Sequence, residues 1–110
     1  KVLKGLVSSI SYSGRSAVLL PAPEQITYGR EKWSRYLKDP IVLSISPYTS
    51  KPEDFIRVGE ELRRSGVELV VMDCIGYTLE QRNMIKRVIP SAKLITSRGA
   101  LAHAITEFLS

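Results

Sequence analysis

The sequence from Val67 to Thr78 reads VELVVMDCIGYT, and it decides which fold this chain can adopt. Its first six residues are apolar with one exception and rich in β-branched side chains, a pattern typical of a strand buried on both faces of a parallel sheet. Asp73 ends the apolar run. Thr78 and Gln81 form a capping-box pattern, which predicts that a helix begins there. Cys74, the only cysteine, therefore lies between the carboxyl end of a central strand and the amino end of a helix.

On either side of this stretch, short apolar runs alternate with amphipathic segments. Four strands are predicted, near 17–20, 41–45, 67–72 and 93–96, with helices between them and further helices near 3–10 and from 99 onward. This alternation implies a parallel sheet with right-handed crossovers. We predict a single α/β domain over residues 1–110, with strand order 2-1-3-4 and helices on both faces. In this order the loops 21–25 and 73–78 face each other across a crevice.

Glycines and capping patterns set the expected helix boundaries. The helix after the first strand is predicted to run to about Leu37, with Gly29 on the face that approaches the sheet. Ser50 and Glu53 form a second capping-box pattern, which predicts the start of the next helix. Gly66 is predicted to end that helix.

The composition excludes several classes of protein. The net charge is +5, but basic residues are interleaved with glutamates, as in Glu60-Glu61 before Arg63-Arg64, and no basic run contains the aromatic residues of a nucleic-acid groove. No apolar run approaches the ~20 residues of a membrane span. A single cysteine excludes an internal disulfide, so a reducing, cytoplasmic compartment is expected. Because the chain starts at Lys1, within a predicted helix, we expect it to be a fragment of something longer.

Cys74 is the leading candidate for chemistry. A cysteine at the amino end of a helix can be partly ionised and can act as a nucleophile or a base. The neighbouring carboxylate of Asp73 opposes this, because it disfavours a thiolate. The alternative interpretation is a small buried residue that fills the end of a strand. Gly76 is predicted to let the backbone turn between the strand and the helix.

Polar residues follow the other strands at the same edge of the predicted sheet. Glu24 and Gln25 lie in the first turn of a helix, where they either contact a ligand or complement the helix dipole. The hydroxyl-rich loop 46–50 either binds a polar ligand or caps a helix. Ser97 and Arg98 end the fourth strand, and with the helix that follows they could hold a carboxylate or a phosphate.

These positions predict an anion site near Gly76. The helix that begins at Thr78 directs free backbone N–H groups at the crevice, and Tyr77 and Thr78 add hydroxyl groups. No metal or cofactor is expected, since metal-ligand spacing, Walker loops and dinucleotide fingerprints are absent from the sequence and the only histidine, His103, is predicted on an outer helix face.

The same residues resemble a known family. The stretch 71–78, followed by Glu80, Arg82 and a helix, resembles the Asp-Cys-x-Gly signature of AroM-type proteins. The segment 20–25, LPAPEQ, resembles their Pro-x-x-Glu-Gln segment, and 94–98, LITSR, resembles their carboxyl end. The resemblance covers nearly the whole chain.

AroM proteins resemble the aspartate/glutamate racemase superfamily, in which two similar α/β lobes enclose a site and each lobe supplies one cysteine. That pair acts on opposite faces of a carbon next to a carboxylate. By this resemblance Cys74 is the cysteine of the second lobe, and the turn 76–78 is the neighbouring carboxylate-binding segment. The chain then corresponds to one flavodoxin-like lobe of a racemase-like fold, without the first lobe.

We therefore expect a domain that, in an intact two-lobed protein, binds a small carboxylate and takes part in cysteine-based racemisation or isomerisation without a cofactor. Racemisation needs a base on one face and an acid on the other, so a chain with one cysteine is expected to be inactive alone. One alternative is a non-catalytic ligand-sensing or protein-interaction domain. Another is a homodimer in which two copies of Cys74 face each other. The expected partners are thus a small carboxylate and a first lobe or second copy, but neither nucleic acid nor membrane.

Overall fold

The computed structural model describes residues 14–97, and its strands form one parallel sheet. The strands are β1 (Ser16–Leu20), β2 (Ile41–Ser44), β3 (Leu69–Met72) and β4 (Lys93–Thr96). The helices are α1 (Ile26–Trp33), which follows a turn of 3-10 helix at Pro23–Gln25, α2 (Pro52–Arg64) and α3 (Leu79–Val88). None of these helices is long and apolar enough to cross a membrane.

The strand order is β2-β1-β3-β4, and all three pairings are parallel, so the predicted α/β topology is confirmed. β1 pairs with β2 on one side and with β3 on the other, and all five of its residues are buried. All four residues of β3 are buried as well. A strand covered on both faces needs side chains that are apolar at every position, which is the pattern that the sequence carries at 69–72.

Two apolar layers cover the sheet, one on each face. On one face, α2 and α3 pack through side chains such as Phe55, Leu62 and Ile85 against Leu19 and Met72. On the other face, Trp33 of α1 and Leu37 of the turns after it pack against alternate strand residues: Val18, Leu20, Val42, Leu69 and Val71. Because successive side chains of a strand point to opposite faces, consecutive residues of β1 and β3 serve different layers.

Gly29 brings α1 close to the sheet, as predicted. A Cβ atom at this position would overlap the end of the Leu20 side chain and would lie 3.3 Å from its Cγ. Gly66 has a φ of +72°, so the chain leaves α2 through the left-handed conformation that glycine favours.

Several predicted boundaries need correction. The helix expected to reach Leu37 ends at Trp33, and Leu37 is buried from the turns that follow. The capping box predicted for Ser50 is wrong by one residue: Lys51 is the N-cap, and its backbone N–H donates to Asp54 Oδ2 over 2.8 Å. The physical reason is Pro52, which occupies the first helical position and so sets the cap before it. The helices predicted near 3–10 and from 99 onward lie outside the described residues.

Tyr77 joins two parts of the sheet edge that are not neighbours. Its ring is fully buried against Phe55, and its hydroxyl donates to the backbone carbonyl of Ile45 over 2.6 Å. Burial raises the pKa of the Tyr77 phenol well above its ordinary value, and Cys74 and Asp73 add to this by charge repulsion. The phenol therefore remains a hydrogen-bond donor in the folded chain.

We expect Tyr77→Phe to lower the free energy of unfolding by about 1–2 kcal/mol, because the Ile45 carbonyl loses its donor in a buried place. Urea unfolding at neutral pH measures this. Tyr28→Phe is the matched control, since Tyr28 is 72% exposed, and should change stability by less than about 0.5 kcal/mol.

The pH dependence gives a second readout of the same change. In the unfolded chain the Tyr77 phenol ionises near its ordinary pKa of 10.0, whereas in the folded chain its raised pKa lets it keep its proton at higher pH. The stability that the Tyr77 phenol contributes to the wild type is therefore complete below pH 10.0 and is lost as the pH rises above that value. The stability gap between the wild type and Tyr77→Phe should narrow above pH 10.0. A gap that stays constant would contradict this account.

Candidate functional site

The carboxyl ends of β1 and β3 form the predicted switch point of the sheet. The hydrogen-bond ladder continues past the strands, since Asp73 N donates to Leu19 O over 2.9 Å and Ile45 N donates to Leu20 O over 2.8 Å. The residue before Cys74 and Ile45 itself are therefore both held by hydrogen bonds against the end of β1.

Cys74 is half-buried and lies on the side of the sheet that faces α2 and α3. Its sulfur accepts a hydrogen bond from the backbone N–H of Gly76 over 3.4 Å. Its carbonyl accepts from the Tyr77 N–H over 3.2 Å, so a tight turn follows the cysteine. The thiol is thus partly accessible, and a fixed backbone donor is placed where it stabilises negative charge on sulfur.

Asp73 points to the opposite face and is bound to α1. Its Oδ2 accepts from the indole N–H of Trp33 over 2.8 Å and from the Lys32 ammonium over 3.1 Å. The Asp73 and Lys32 side chains are each 17% exposed, and Lys32 Nζ also lies 5.3 Å from the Trp33 ring centroid. The negative charge next to Cys74 is therefore paired with a cation and directed away from the thiol.

Sequence analysis missed this cluster of Asp73, Lys32 and Trp33. The signal was available in part, because a buried tryptophan usually finds an acceptor for its indole N–H. The sequence analysis treated Asp73 as the end of a strand and as a charge that disfavours a Cys74 thiolate, and it assigned no partner to Asp73 or to Trp33. The two residues meet because α1 packs against the sheet, and this tertiary contact cannot be read from the local sequence around either residue.

Gln25 and Glu24 are adjacent in the sequence, but only Gln25 lines a cavity at this edge of the sheet. Gln25 lines a cavity of about 220 Å³ together with Lys32 and Asp73, so one residue from each of the two loops predicted to face each other lies at this cavity. Leu20, Tyr28 and Gly29 complete its lining. Glu24 is exposed in the 3-10 turn and does not line this cavity.

The capping box at the start of α3 is confirmed. Gln81 N donates to Thr78 Oγ1 over 3.1 Å, and Thr78 N donates to Gln81 Oε1 over 3.0 Å. These two N–H groups are thereby occupied, which leaves those of Leu79 and Glu80 as the first-turn donors that the helix itself does not use. The Tyr77 hydroxyl points into the core toward Ile45, so it is not available to a ligand in this arrangement.

The loop after β2 lies against the turn after β3. The Ser46 hydroxyl oxygen accepts from the backbone N–H groups of Tyr48 and Thr49, both over 3.1 Å, and Gln81 Nε2 donates to Pro47 O over 2.9 Å. Gly76 lies in the turn between β3 and α3, as predicted, and its φ is not positive. A Cβ there would overlap the Tyr48 hydroxyl, which adds a steric reason for glycine.

Two further groups of polar residues occupy this edge. Ser97 is half-buried and comes directly after Thr96, which pairs with Met72, so Ser97 is level with Asp73. Arg98 lies outside the described residues.

A second cavity, of about 320 Å³, opens where β1 and β2 end, and is lined by Pro21, Pro23, Ser44, Ile45, Ser46, Ser50, Asp54, Arg57 and Val58.

Exposed apolar side chains lie beside the turn that follows Cys74. Three of the large hydrophobic residues that are exposed within residues 14–97 lie in or against the segment from Cys74 to the start of α3: Tyr48 at 74%, Ile75 at 57% and Leu79 at 67%. We call these three residues the apolar rim. Exposed apolar groups that gather around a concave edge are typical of a surface that contacts something else.

We expect Asp73→Asn to lower the free energy of unfolding by about 1–2 kcal/mol, because two charge-assisted hydrogen bonds become weaker. A double-mutant cycle with Lys32→Met should give a coupling energy of about 0.5–1.5 kcal/mol. Trp33 is the only tryptophan, so its fluorescence reports on the same contact during urea unfolding. Strictly additive effects, with unchanged Trp33 emission, would show that the three residues do not act as a unit.

A search among curated proteins and a search among solved structures each gave no match. A family model described as AroM protein matches residues 1–109, which is nearly the entire chain. The LPAPEQ segment after β1 and the Asp73–Thr78 loop after β3 both lie within the matched residues. The chain belongs to the AroM family.

Proposed function

We propose that this AroM-family chain binds a small carboxylate in the crevice over the end of β1, and that Cys74 exchanges a proton with the carbon next to that carboxylate. The observation that carries the proposal is the half-buried Cys74 sulfur at the switch point, with the Gly76 N–H directed at it over 3.4 Å. A thiol so placed can act as a proton-transferring group.

The electrostatics of the edge support an anionic ligand. The Leu79 and Glu80 N–H groups lie in the first turn of α3, a helix of 10 residues, where the helix dipole favours negative charge. The carboxylate of Asp73 is neutralised by Lys32 on the other face, so it opposes an anion less than its sequence position suggests. Ser97 adds a hydroxyl group level with Asp73, at the end of β4.

The chemistry of one thiol is limited. The Cys74 thiolate would take a proton from the carbon, leaving a carbanion that the carboxylate stabilises; the resulting thiol would exchange its proton with solvent and return a solvent-derived proton to the same face. This sequence exchanges hydrogen with retention of configuration. Inversion needs a second acid on the opposite face, which a first lobe or a second copy would supply.

A non-catalytic ligand-sensing or interaction domain is the second candidate, because the sequence contains one cysteine and one histidine and so offers few groups for acid–base work near neutral pH. Deuterium exchange separates the two. In D₂O, the wild-type chain should exchange the hydrogen of a bound 2-amino or 2-hydroxy carboxylate, and Cys74→Ser should not. Binding without any exchange would favour the second candidate.

Iodoacetate tests the carboxylate site directly, since it is both a small carboxylate and a thiol reagent. For each state of the chain, the rate of Cys74 alkylation by iodoacetate is divided by the rate with neutral iodoacetamide. We expect this ratio to be about tenfold higher in the folded chain than in the urea-unfolded chain, a difference equivalent to ~1.4 kcal/mol of carboxylate binding. Malonate at millimolar concentration should lower the ratio. Intact-mass measurement suffices, because Cys74 is the only cysteine.

Added potassium chloride controls for the general attraction of a chain with a net charge of +5. A rate ratio equal to that of the unfolded chain, or one that malonate does not change, would refute carboxylate binding at this edge.

We also propose that the apolar rim is covered in the functional assembly, by a first lobe or by a second copy of this chain. Sedimentation should detect self-association of the wild type at high concentration, weakened by Ile75→Gln together with Leu79→Gln. Ile56→Gln is the matched control, because Ile56 is 43% exposed on α2, away from the rim. A wild type that stays monomeric at every concentration would exclude the second copy.

A further inference from the structure

Gly76 is a glycine for a steric reason. Gly66 is the only glycine of residues 14–97 with a positive φ, so the backbone at 76 does not itself require glycine. A Cβ at 76 would overlap the Tyr48 hydroxyl and would lie 2.6 Å from Tyr48 Cζ and 3.1 Å from Pro47 Cγ. The phenolic end of Tyr48 thus occupies the space of the missing side chain, on the residue whose N–H donates to Cys74.

The backbone on either side of this contact is fixed. Tyr48 N donates to the Ser46 hydroxyl oxygen over 3.1 Å, and Pro47 O accepts from Gln81 Nε2 over 2.9 Å. Two residues earlier, Ile45 O accepts from the Tyr77 hydroxyl. The loop that carries Tyr48 is therefore attached at three points, one of them within itself and two to the segment that follows Cys74.

The contact of the Tyr48 ring contributes little to the stability of the fold, because Tyr48 remains 74% exposed. A fixed loop that holds a large aromatic ring in solvent, resting by its hydroxyl end on Gly76, instead shapes the approach to the neighbouring sulfur. Cys74 and the Tyr48 ring lie beside the same residue, Gly76, so a molecule that approaches Cys74 from this side meets the ring.

We propose that Tyr48 determines the specificity of the crevice: its ring limits the size of the molecule that reaches Cys74, and Gly76 keeps the ring in place by lacking a side chain. This inference rests on the proposed function, and it narrows the ligand to a small carboxylate with a short, unbranched substituent. Tyr48 is a specificity-determining residue here and takes no part in proton transfer.

The test compares two maleimides that share one reaction and differ in size, N-ethylmaleimide and fluorescein-5-maleimide. The ratio of the large reagent's rate to the small reagent's rate, measured by intact mass on the single cysteine, reports access to Cys74. Tyr48→Ala should raise this ratio about tenfold, within the range by which a pocket discriminates on size. Tyr48→Phe, which keeps the ring, should leave it unchanged.

Gly76→Ala provides an independent variant, since its Cβ would displace the ring without removing it. It should raise the ratio as Tyr48→Ala does, and the double variant should show no further increase, because both changes open the same path. Tyr28→Ala is the matched control: Tyr28 is equally exposed, at 72%, but belongs to α1 on the other face, and its loss should not alter the ratio.

An unchanged ratio in Tyr48→Ala would overturn the proposal, and so would an equal rise in Tyr48→Phe or in Tyr28→Ala. If circular dichroism shows that Gly76→Ala does not fold, the comparison of Tyr48→Ala with Tyr48→Phe decides. Failure of the proposed carboxylate site would appear separately, as a missing preference for iodoacetate, since both maleimides are compared on the thiol itself.

Discussion

The hydrogen bond from the Tyr77 hydroxyl to Ile45 O, 2.6 Å long, is the constraint on which the geometry of the crevice depends. β2 and β3 are separated by β1, so backbone hydrogen bonds connect the ends of these two strands only through β1. The buried Tyr77 side chain connects them directly. Because burial raises the pKa of the Tyr77 phenol, the donor keeps its proton in the folded chain even at pH values above 10.0. The loop after β2 can then lie against Gly76.

The same edge is fixed on its other face by Asp73. Consecutive residues at the end of a strand point to opposite faces, so Asp73 contacts α1 while Cys74 contacts the layer of α2 and α3. One strand end is thereby held between two helical layers, through an ion pair and an indole hydrogen bond on one side and through apolar packing on the other.

How far the sequence predicted these features depended on the range of the interaction. The strand order and the Thr78–Gln81 capping box follow from periodicity and spacing, which are local, and both are confirmed. The contacts Trp33–Asp73 and Tyr48–Gly76 join residues far apart in the chain, and no spacing rule reaches them. Gly76 illustrates the limit: it lies in a turn, as expected, but the tyrosine ring that leaves no space for a side chain there is distant in the sequence. The Lys51 cap was missed for a local reason, the position of Pro52.

The backbone donors near Cys74 are already in place, but the strength of their effect on a charged group depends on the surrounding solvent. Donors such as the Gly76 N–H are part of the backbone, so they require no reorganisation when charge develops nearby. Their effect is nonetheless weak in water, because the interaction of charges falls with the dielectric constant. The proton transfer proposed for Cys74 therefore depends on excluding water from an edge that is open in the part of the chain that the structure describes. The exposed Tyr48, Ile75 and Leu79 supply apolar surface that a covering element would bury, so the surface that includes Tyr48, the residue proposed to limit access to Cys74, would also provide free energy for closing over it.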